Sequence, residues 1–145
     1  MKGFCLTLMY LLDTNVVSEL RRIRPHGAVL AWLESVGDEN LHLSAVTIGE
    51  IQAGIEITRE LDPDKAAEIE VWLGQVTETY NILDMDAQTF RCWARLMYRR
   101  SDHLIEDTML AATAMVHNLI VVTRNVRDFE GLDVHTLNPF DTMDD

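Results

Sequence analysis

Tyr10-Leu11-Leu12-Asp13-Thr14-Asn15 changes abruptly from apolar to polar, and the rest of the chain can be interpreted outward from that change. The apolar run over residues 6–12 is too short to span a membrane and predicts a fully buried strand of a parallel sheet. Asp13 then follows the carboxyl end of the strand, where open α/β sheets bind ligands. Asp13 also suits the N-cap position of the next helix. A capping role and a chemical role therefore both remain open for this residue.

The composition predicts one globular domain over residues 1–145, with a frayed acidic tail over residues 139–145. With 48% hydrophobic and 25% charged residues, the chain is too apolar to be disordered. A formal net charge of -12 argues against a nonspecific nucleic-acid coat protein and against a polybasic membrane binder. A role in nucleic-acid chemistry would therefore depend on local groups of basic residues.

The amino-terminal residues and the two cysteines indicate a cytoplasmic protein. The apolar start has no small-residue cleavage site, and it leads directly to Asp13. Cys5 and Cys92 form no CxxC motif and are expected to be buried thiols. Translation from Met9 instead of Met1 would still preserve the path of the strand into Asp13.

Hydrophobic periodicity and turn signals predict alternating strands and helices. The predicted strands cover residues 6–12, 41–43, 81–84, 119–123 and 134–137, and the predicted helices cover 15–23, 27–36, 47–58, 63–80, 87–100 and 104–117. This order predicts an α/β fold with a mainly parallel central sheet flanked by helices.

Three acidic residues occupy positions in these predicted elements that suggest a functional role. Asp13 ends the first strand, and Glu50 flanks the apolar stripe of the helix over residues 47–58. A glutamate there can simply favour the helix dipole, so that interpretation of Glu50 stays open. Asp107 shares a helix face with Leu110 and Ala111, and an uncompensated carboxylate on an inward face is costly. Asp107 is thus the acid least compatible with a purely structural role.

Further polar residues follow the strand over residues 119–123, namely Thr123, Asn125 and Asp128. Carboxyl ends of parallel strands share one edge of the sheet, so these residues are expected to converge with Thr14 and the three acids. Carboxylates that close together require bound protons or a cation. Oxygen ligands favour Mg²⁺ or Mn²⁺ over Zn²⁺, which indicates metal-dependent phosphotransfer or hydrolysis without identifying a substrate.

The helix over residues 87–100 carries two patterns. Phe90, Trp93, Ala94 and Met97 are expected to face the core. The basic residues, at intervals of four, predict a cationic stripe; they are Arg91, Arg95 and Arg99. A stripe of this kind suits contacts with a nucleic acid, although a solvated helix face is the commoner use of such residues.

Four segments together carry a family resemblance: LLDTNVVSE (11–19), LSAVTIGEI (43–51), DTMLAATA (107–114) and VTRNVRDF (122–129). In order and spacing they resemble the successive motifs of PIN-domain proteins, and most closely those of VapC/FitB toxins from bacterial type II toxin-antitoxin systems. The resemblance implies a PIN-like three-layer α/β/α sandwich, a homodimer, and an Mg²⁺-dependent endoribonuclease that accepts Mn²⁺. It also implies a cognate antitoxin of the VapB/FitA kind, through which alone operator DNA would be contacted.

The resemblance assigns roles to individual residues. It implies catalytic acids at Asp13, Glu50 and Asp107, of which Asp13 and Asp107 are expected to ligate the metal most directly. The pattern selects Asp107 over the adjacent Glu106, and it favours Asp128 as the fourth acid, because Asn125 carries no charge. Supporting polar residues that orient the carboxylates or the attacking water are Thr14, Asn15, Thr123 and Asn125.

Two other interpretations remain open. The same metal pocket would serve a phosphatase or a DNA nuclease. Alternatively, the acids would be helix caps and surface charge in a noncatalytic binding module.

Overall fold

The computed structural model of the protein describes residues 8–141 and contains a parallel sheet of five strands. The strands are β1 (Tyr10–Leu12), β2 (Leu41–Ser44), β3 (Asn81–Leu83), β4 (Ile120–Val122) and β5 (Thr136–Leu137). Their order in the sheet is β3-β2-β1-β4-β5, and each neighbouring pair is parallel. The central strand β1 is buried on both faces through Leu11 and Leu12, as the continuous apolar run predicts.

Helices connect and cover the strands. They are α1 (Thr14–Val17), α2 (Gly27–Ser35), α3 (Ala45–Leu61), α4 (Pro63–Thr79), α5 (Ala87–Met97) and α6 (Ile105–His117). Short 3₁₀ turns lie at Ser18–Arg21, Asp38–Asn40, Asp102–Leu104 and Val126–Phe129. Within residues 8–141, no helix combines the length and the apolar character that crossing a membrane requires.

The core is divided between the two faces of the sheet. One face buries Leu12 and Val122 against α1, α2 and α4, and the other buries Leu11 and Val121 against α6. The small residues Ala111, Ala112 and Ala114 are among the buried positions of α6. Two helical layers on one parallel sheet confirm the predicted α/β/α sandwich, and they leave the carboxyl edge of the strands open for polar residues.

Helices α3 and α4 pack on each other and close a small core of their own, centred on Ile55, Ala66 and Leu73. The Asp62 side chain caps α4 by accepting the Lys65 N–H at 3.1 Å, and Pro63 occupies the first turn, where its missing N–H and fixed φ suit a helix start. Because α3 carries Glu50 near its amino end, this helix pair also supports the polar edge of the sheet.

The first strand is shorter than predicted. Residues 6 and 7 lie outside the described part of the chain, Leu8 is 56% exposed, and β1 begins at Tyr10. The first contact with β4 is the hydrogen bond from the Ile120 N–H to the Met9 carbonyl, at 3.0 Å. The short neighbouring strands β2 and β4 limit the length of the hydrogen-bonded ladder. As a result, β1 is shorter than the apolar run that precedes Asp13.

The helix predicted over residues 15–23 is also divided. It forms α1 and then a 3₁₀ turn that ends at Arg21. Glu19 in that turn is buried, and its Oε1 accepts the His26 N–H at 2.9 Å while its Oε2 pairs with Arg22 at 3.2 Å. Through these contacts Glu19 holds Arg22 and His26, which follow it in the chain, close to the 3₁₀ turn. This accounts for the early end of the helix.

The predicted core face of α5 is wrong. Phe90 is 45% exposed and Ala94 is exposed, and Trp93 and Met97 are only partly buried. The buried residues are instead Thr89 and Cys92, and Leu96 packs against the core beneath them. Thr89 can be buried because its hydroxyl donates to Asp86 Oδ1 at 2.8 Å, so a polar residue takes the inward position.

Candidate active site

Asp13 lies at the end of β1, and 9% of its surface is exposed. Its Oδ1 accepts the Thr14 N–H at 2.7 Å, and its Oδ2 accepts the Thr123 hydroxyl at 2.8 Å and the Asn15 Nδ2 at 3.4 Å. Asp13 therefore caps α1 and also faces the polar edge of the sheet. Burial raises its pKa above the usual range, although the hydrogen bonds from Thr123 and Thr14 act in the opposite direction.

The carboxyl ends of β1 and β4 are joined through Thr123 and Asn15. The buried Thr123 hydroxyl oxygen accepts the Asn125 N–H at 3.0 Å and the Asn15 Nδ2 at 3.4 Å. Asn15 Oδ1 accepts the Arg124 N–H at 3.1 Å. The predicted supporting residues thus form one hydrogen-bonded network around Asp13.

Glu50 approaches the same edge from α3. Its Oε1 accepts the Thr14 hydroxyl at 3.2 Å, which links it to the residue after Asp13. Burial, followed by the Glu106 carboxyl that faces it, raises the pKa of Glu50 to about 8. In the sequence, Glu106 is notable only because it is adjacent to Asp107. The position of Glu106 beside Glu50 depends on how α6 packs near α3.

Asp107 lies half-buried in the first turn of α6. Its pKa is raised to about 6 by burial and then by the charges of Asp128, Asp13 and Glu106, with a smaller opposing effect from His103. Asp128, on the 3₁₀ turn Val126–Phe129, is thus close enough to act on both Asp13 and Asp107. The four predicted acids therefore lie near one another at the carboxyl edge of the sheet, and we call this group of acids the acidic pocket.

The pocket has the charge and the donor atoms that a hard divalent cation requires. No salt bridge within residues 8–141 involves any of the four acids, and burial raises the pKa values of Asp13, Glu50 and Asp107. Carboxylate oxygens are the ligands Mg²⁺ prefers. In the same part of the chain, however, no three His, Cys, Asp or Glu side chains are already arranged as a metal-binding cluster. The donor chemistry fits the ion, and the carboxylates would have to draw closer around it.

The predicted arginine stripe is interrupted. Arg91 and Arg95 are exposed on α5, but the helix ends at Met97 and Arg99 has a φ of 64°. The Arg99 guanidinium instead lies over the Tyr98 ring, 5.2 Å from its centroid. A left-handed backbone turns Arg99 out of line with the other two, so the stripe of three is wrong and a role for Arg91 and Arg95 stays a prediction.

Comparisons with known proteins identify similar chains. The PIN domain family matches residues 10–134. The chain is 34% identical over 144 residues to the VapC ribonuclease Y4jK of Sinorhizobium fredii, covering 92% of this chain and 99% of that protein. It is also 34% identical over 139 residues to toxin FitB of Neisseria gonorrhoeae, covering 91% of this chain and 99% of FitB.

A solved structure of FitAB bound to the IR36 DNA fragment is similar in fold. The TM-score is 0.81 at 31% sequence identity, and the alignment covers 94% of this chain and 99% of that one. The likeness in fold therefore extends over nearly the whole chain.

Proposed function

Because this chain belongs to the PIN-domain family and is similar to a VapC ribonuclease and to the toxin FitB, we propose that it hydrolyses RNA phosphodiester bonds with Mg²⁺ as cofactor. Mn²⁺ is expected to substitute, since it accepts the same oxygen ligands.

The observation that carries the proposal is the convergence of four acids from four separate elements. Asp13 directly follows β1, Glu50 lies on α3, Asp107 on α6, and Asp128 on the turn after β4. Burial and mutual repulsion oppose the ionisation of Asp13, Glu50 and Asp107, and a divalent cation would offset both penalties. Asp13, Asp107 and Glu50 would hold this ion, which supplies an activated water and offsets charge on the leaving oxygen.

The remaining polar residues have positioning roles in this proposal. Thr123 and Asn15 hold the Asp13 carboxylate, and Thr14 holds Glu50. Asp128 is the fourth acid, at the outer side of the pocket, and Asn125 remains a hydrogen-bonding residue. Arg91 and Arg95 would contact RNA outside the pocket, because both are exposed on α5.

The proposed partners are a cognate antitoxin of the VapB/FitA kind and a second copy of this chain. An overall charge of -12 and an acidic pocket suit an antitoxin that presents basic residues. Contact with operator DNA would pass through the antitoxin, since so acidic a chain is poorly suited to bind DNA itself. The similar FitAB structure, which is bound to DNA, supports this arrangement.

Isosteric replacement of the acids tests the proposed function. Asp13→Asn and Asp107→Asn should each lower RNA cleavage at least about a hundred-fold, because each removes a charge that holds the ion. The matched control is Asp38→Asn, an exposed position in the turn Asp38–Asn40, which should cleave RNA at the unchanged rate.

The substrate panel should contain structured RNA, single-stranded RNA, single-stranded DNA and a small phosphate ester, each with Mg²⁺ and with EDTA. Full activity of Asp13→Asn would overturn the proposed site. Cleavage of DNA or of the ester without cleavage of RNA would favour the other metal-dependent phosphoesterases. Absence of any hydrolysis together with absence of Mg²⁺ binding would favour a noncatalytic module.

A further inference from the structure

Arg124 follows Thr123 and is anchored to the acidic pocket through its backbone. Its N–H donates to Asn15 Oδ1 at 3.1 Å, and Asn15 in turn contacts Asp13 and Thr123. The position of Arg124 is therefore tied to the same network that orients Asp13.

Two residues near the end of the described chain hold Arg124, Phe140 by its side chain and Asn138 by its backbone carbonyl. Its guanidinium carbon lies 3.9 Å from the ring centroid of Phe140, which is 8% exposed. Asn138 joins the two residues, because its Oδ1 accepts the Phe140 N–H at 2.9 Å and its Nδ2 donates to the Arg124 carbonyl at 3.4 Å. We call these three residues, Arg124, Asn138 and Phe140, the Arg124 clamp.

Phe140 belongs to the main core, although the sequence predicts a frayed tail from residue 139 onwards. The ring packs in the main core with Val29 and Leu33 of α2, and the His26 ring meets it edge to face at a centroid distance of 5.1 Å. A stacked guanidinium on a buried ring has restricted freedom, so less entropy is lost when it binds a ligand.

The charge of Arg124 is available. The residue is exposed, and no acid within residues 8–141 forms a salt bridge with it, although the four acids lie at the same edge of the sheet. One face of the guanidinium is covered by Phe140, which leaves its N–H edges to act as donors. Such a planar set of donors matches the oxygens of a phosphate.

We propose that Arg124 binds a phosphate of the RNA strand next to the bond that is cleaved, and that Asn138 and Phe140 are its positioning residues. The inference rests on the proposed function, since the ligand is its substrate. A polyanion must approach carboxylates in order to react here, and a cation whose backbone is anchored at the same edge of the sheet offsets part of that repulsion.

Binding and turnover of a fluorescein-labelled single-stranded RNA oligonucleotide test the clamp. Arg124→Gln should weaken RNA binding, measured by anisotropy in EDTA, and raise KM with Mg²⁺, each by about ten-fold, while kcat changes little. The slope of log binding constant against log salt should fall by about 0.7, the value for one phosphate contact to a single strand. Arg59→Gln is the matched control, because Arg59 pairs with Glu56 and Glu70 on the α3–α4 surface.

Phe140→Leu tests positioning separately from charge. It should raise KM less than Arg124→Gln does, and it should add little to the effect of Arg124→Gln in the double variant, because both changes act on one contact. Thermal melting of each variant, monitored by circular dichroism, identifies any loss of RNA binding or activity that is due to unfolding.

The outcomes separate this inference from the proposed function. An Arg124→Gln variant that binds and cleaves RNA like the Arg59→Gln control overturns the inference while the ribonuclease assignment stands. Arg124-dependent binding by a protein that cannot cleave RNA overturns the assignment alone. Additive effects in the double variant would remove Phe140 from the clamp.

Discussion

At the scale of single residues, Thr123 shows how the protein holds a buried carboxylate in place. Its hydroxyl donates to Asp13 and accepts from the Asn125 N–H, so both functions of the hydroxyl are used in a fully buried position. The hydrogen bond to Asp13 favours the charged form and opposes the effect of burial on its pKa. A residue of the same shape without the hydroxyl would remove this hydrogen bond to Asp13.

Thr123→Val should therefore raise the Mg²⁺ concentration needed for half-maximal RNA cleavage by about 10- to 100-fold, as expected for loss of a group that orients a metal ligand. The matched control is Thr113→Val, because Thr113 is also buried but donates to the Met109 carbonyl within α6. Magnesium titrations of both variants provide the measurement. Equal effects of the two changes would mean that the Thr123 hydroxyl has no special role at the site.

At the scale of secondary-structure elements, the α3–α4 pair places Glu50. The helices share the small core around Ile55, and α3 begins at Ala45, where the Ser44 hydroxyl accepts the Val46 N–H at 3.0 Å. The cap at one end and the packing at the other determine the orientation of α3. Its second turn then brings Glu50 to Thr14.

Two isoleucines of α3 allow a matched test of this packing. Ile55 is 1% exposed and Ile57 is 68% exposed. Ile55→Ala should lower the free energy of unfolding by about 2–5 kcal/mol, because it removes buried methyl groups and leaves a cavity. Ile57→Ala should change it by no more than about 0.5 kcal/mol. Urea unfolding of both variants measures these changes. Equal losses of unfolding free energy in the two variants would contradict the buried position of Ile55.

At the scale of the whole molecule, the acidic pocket couples folding to pH. The pKa of Glu50 rises from 4.5 to about 8, and that of Asp107 rises from 3.8 to about 6, burial being the largest cause for both. Between the unfolded and folded pKa values, the folded protein binds more protons than the unfolded chain. The contribution of these two groups to stability is thus present at low pH and is lost as pH rises through the folded pKa values.

Metal-free protein should accordingly lose more unfolding free energy between about pH 5 and pH 8 than the Glu50→Gln variant does, since glutamine cannot release a proton. Glu78→Gln, on the exposed surface of α4, should behave like the unchanged chain. Addition of Mg²⁺ should reverse part of the loss, because a metal ion displaces protons from its ligands. Urea titrations at several pH values in EDTA and in Mg²⁺ measure these differences, and identical pH profiles for all three proteins would contradict the coupling.

Much of the architecture was predictable from local patterns. The apolar run before Asp13 and the alternation of strands and helices predict the parallel sheet and its polar edge. Local patterns failed for α5, where the exposed Phe90 and the buried Thr89 depend on side-chain partners that periodicity does not reveal. The family resemblance, rather than periodicity, assigned the roles of the four acids.

The amino-acid order alone determined which segments form strands and helices, and it placed Asp13 after a buried strand, because both depend on neighbouring residues in the chain. The folded arrangement decided that Glu106 faces Glu50 and that Phe140 supports Arg124. Those contacts join residues far apart in the chain, and their distances depend on how helices pack against the sheet. Packing is a property of the assembled core, so it becomes visible only when the elements are brought together in space.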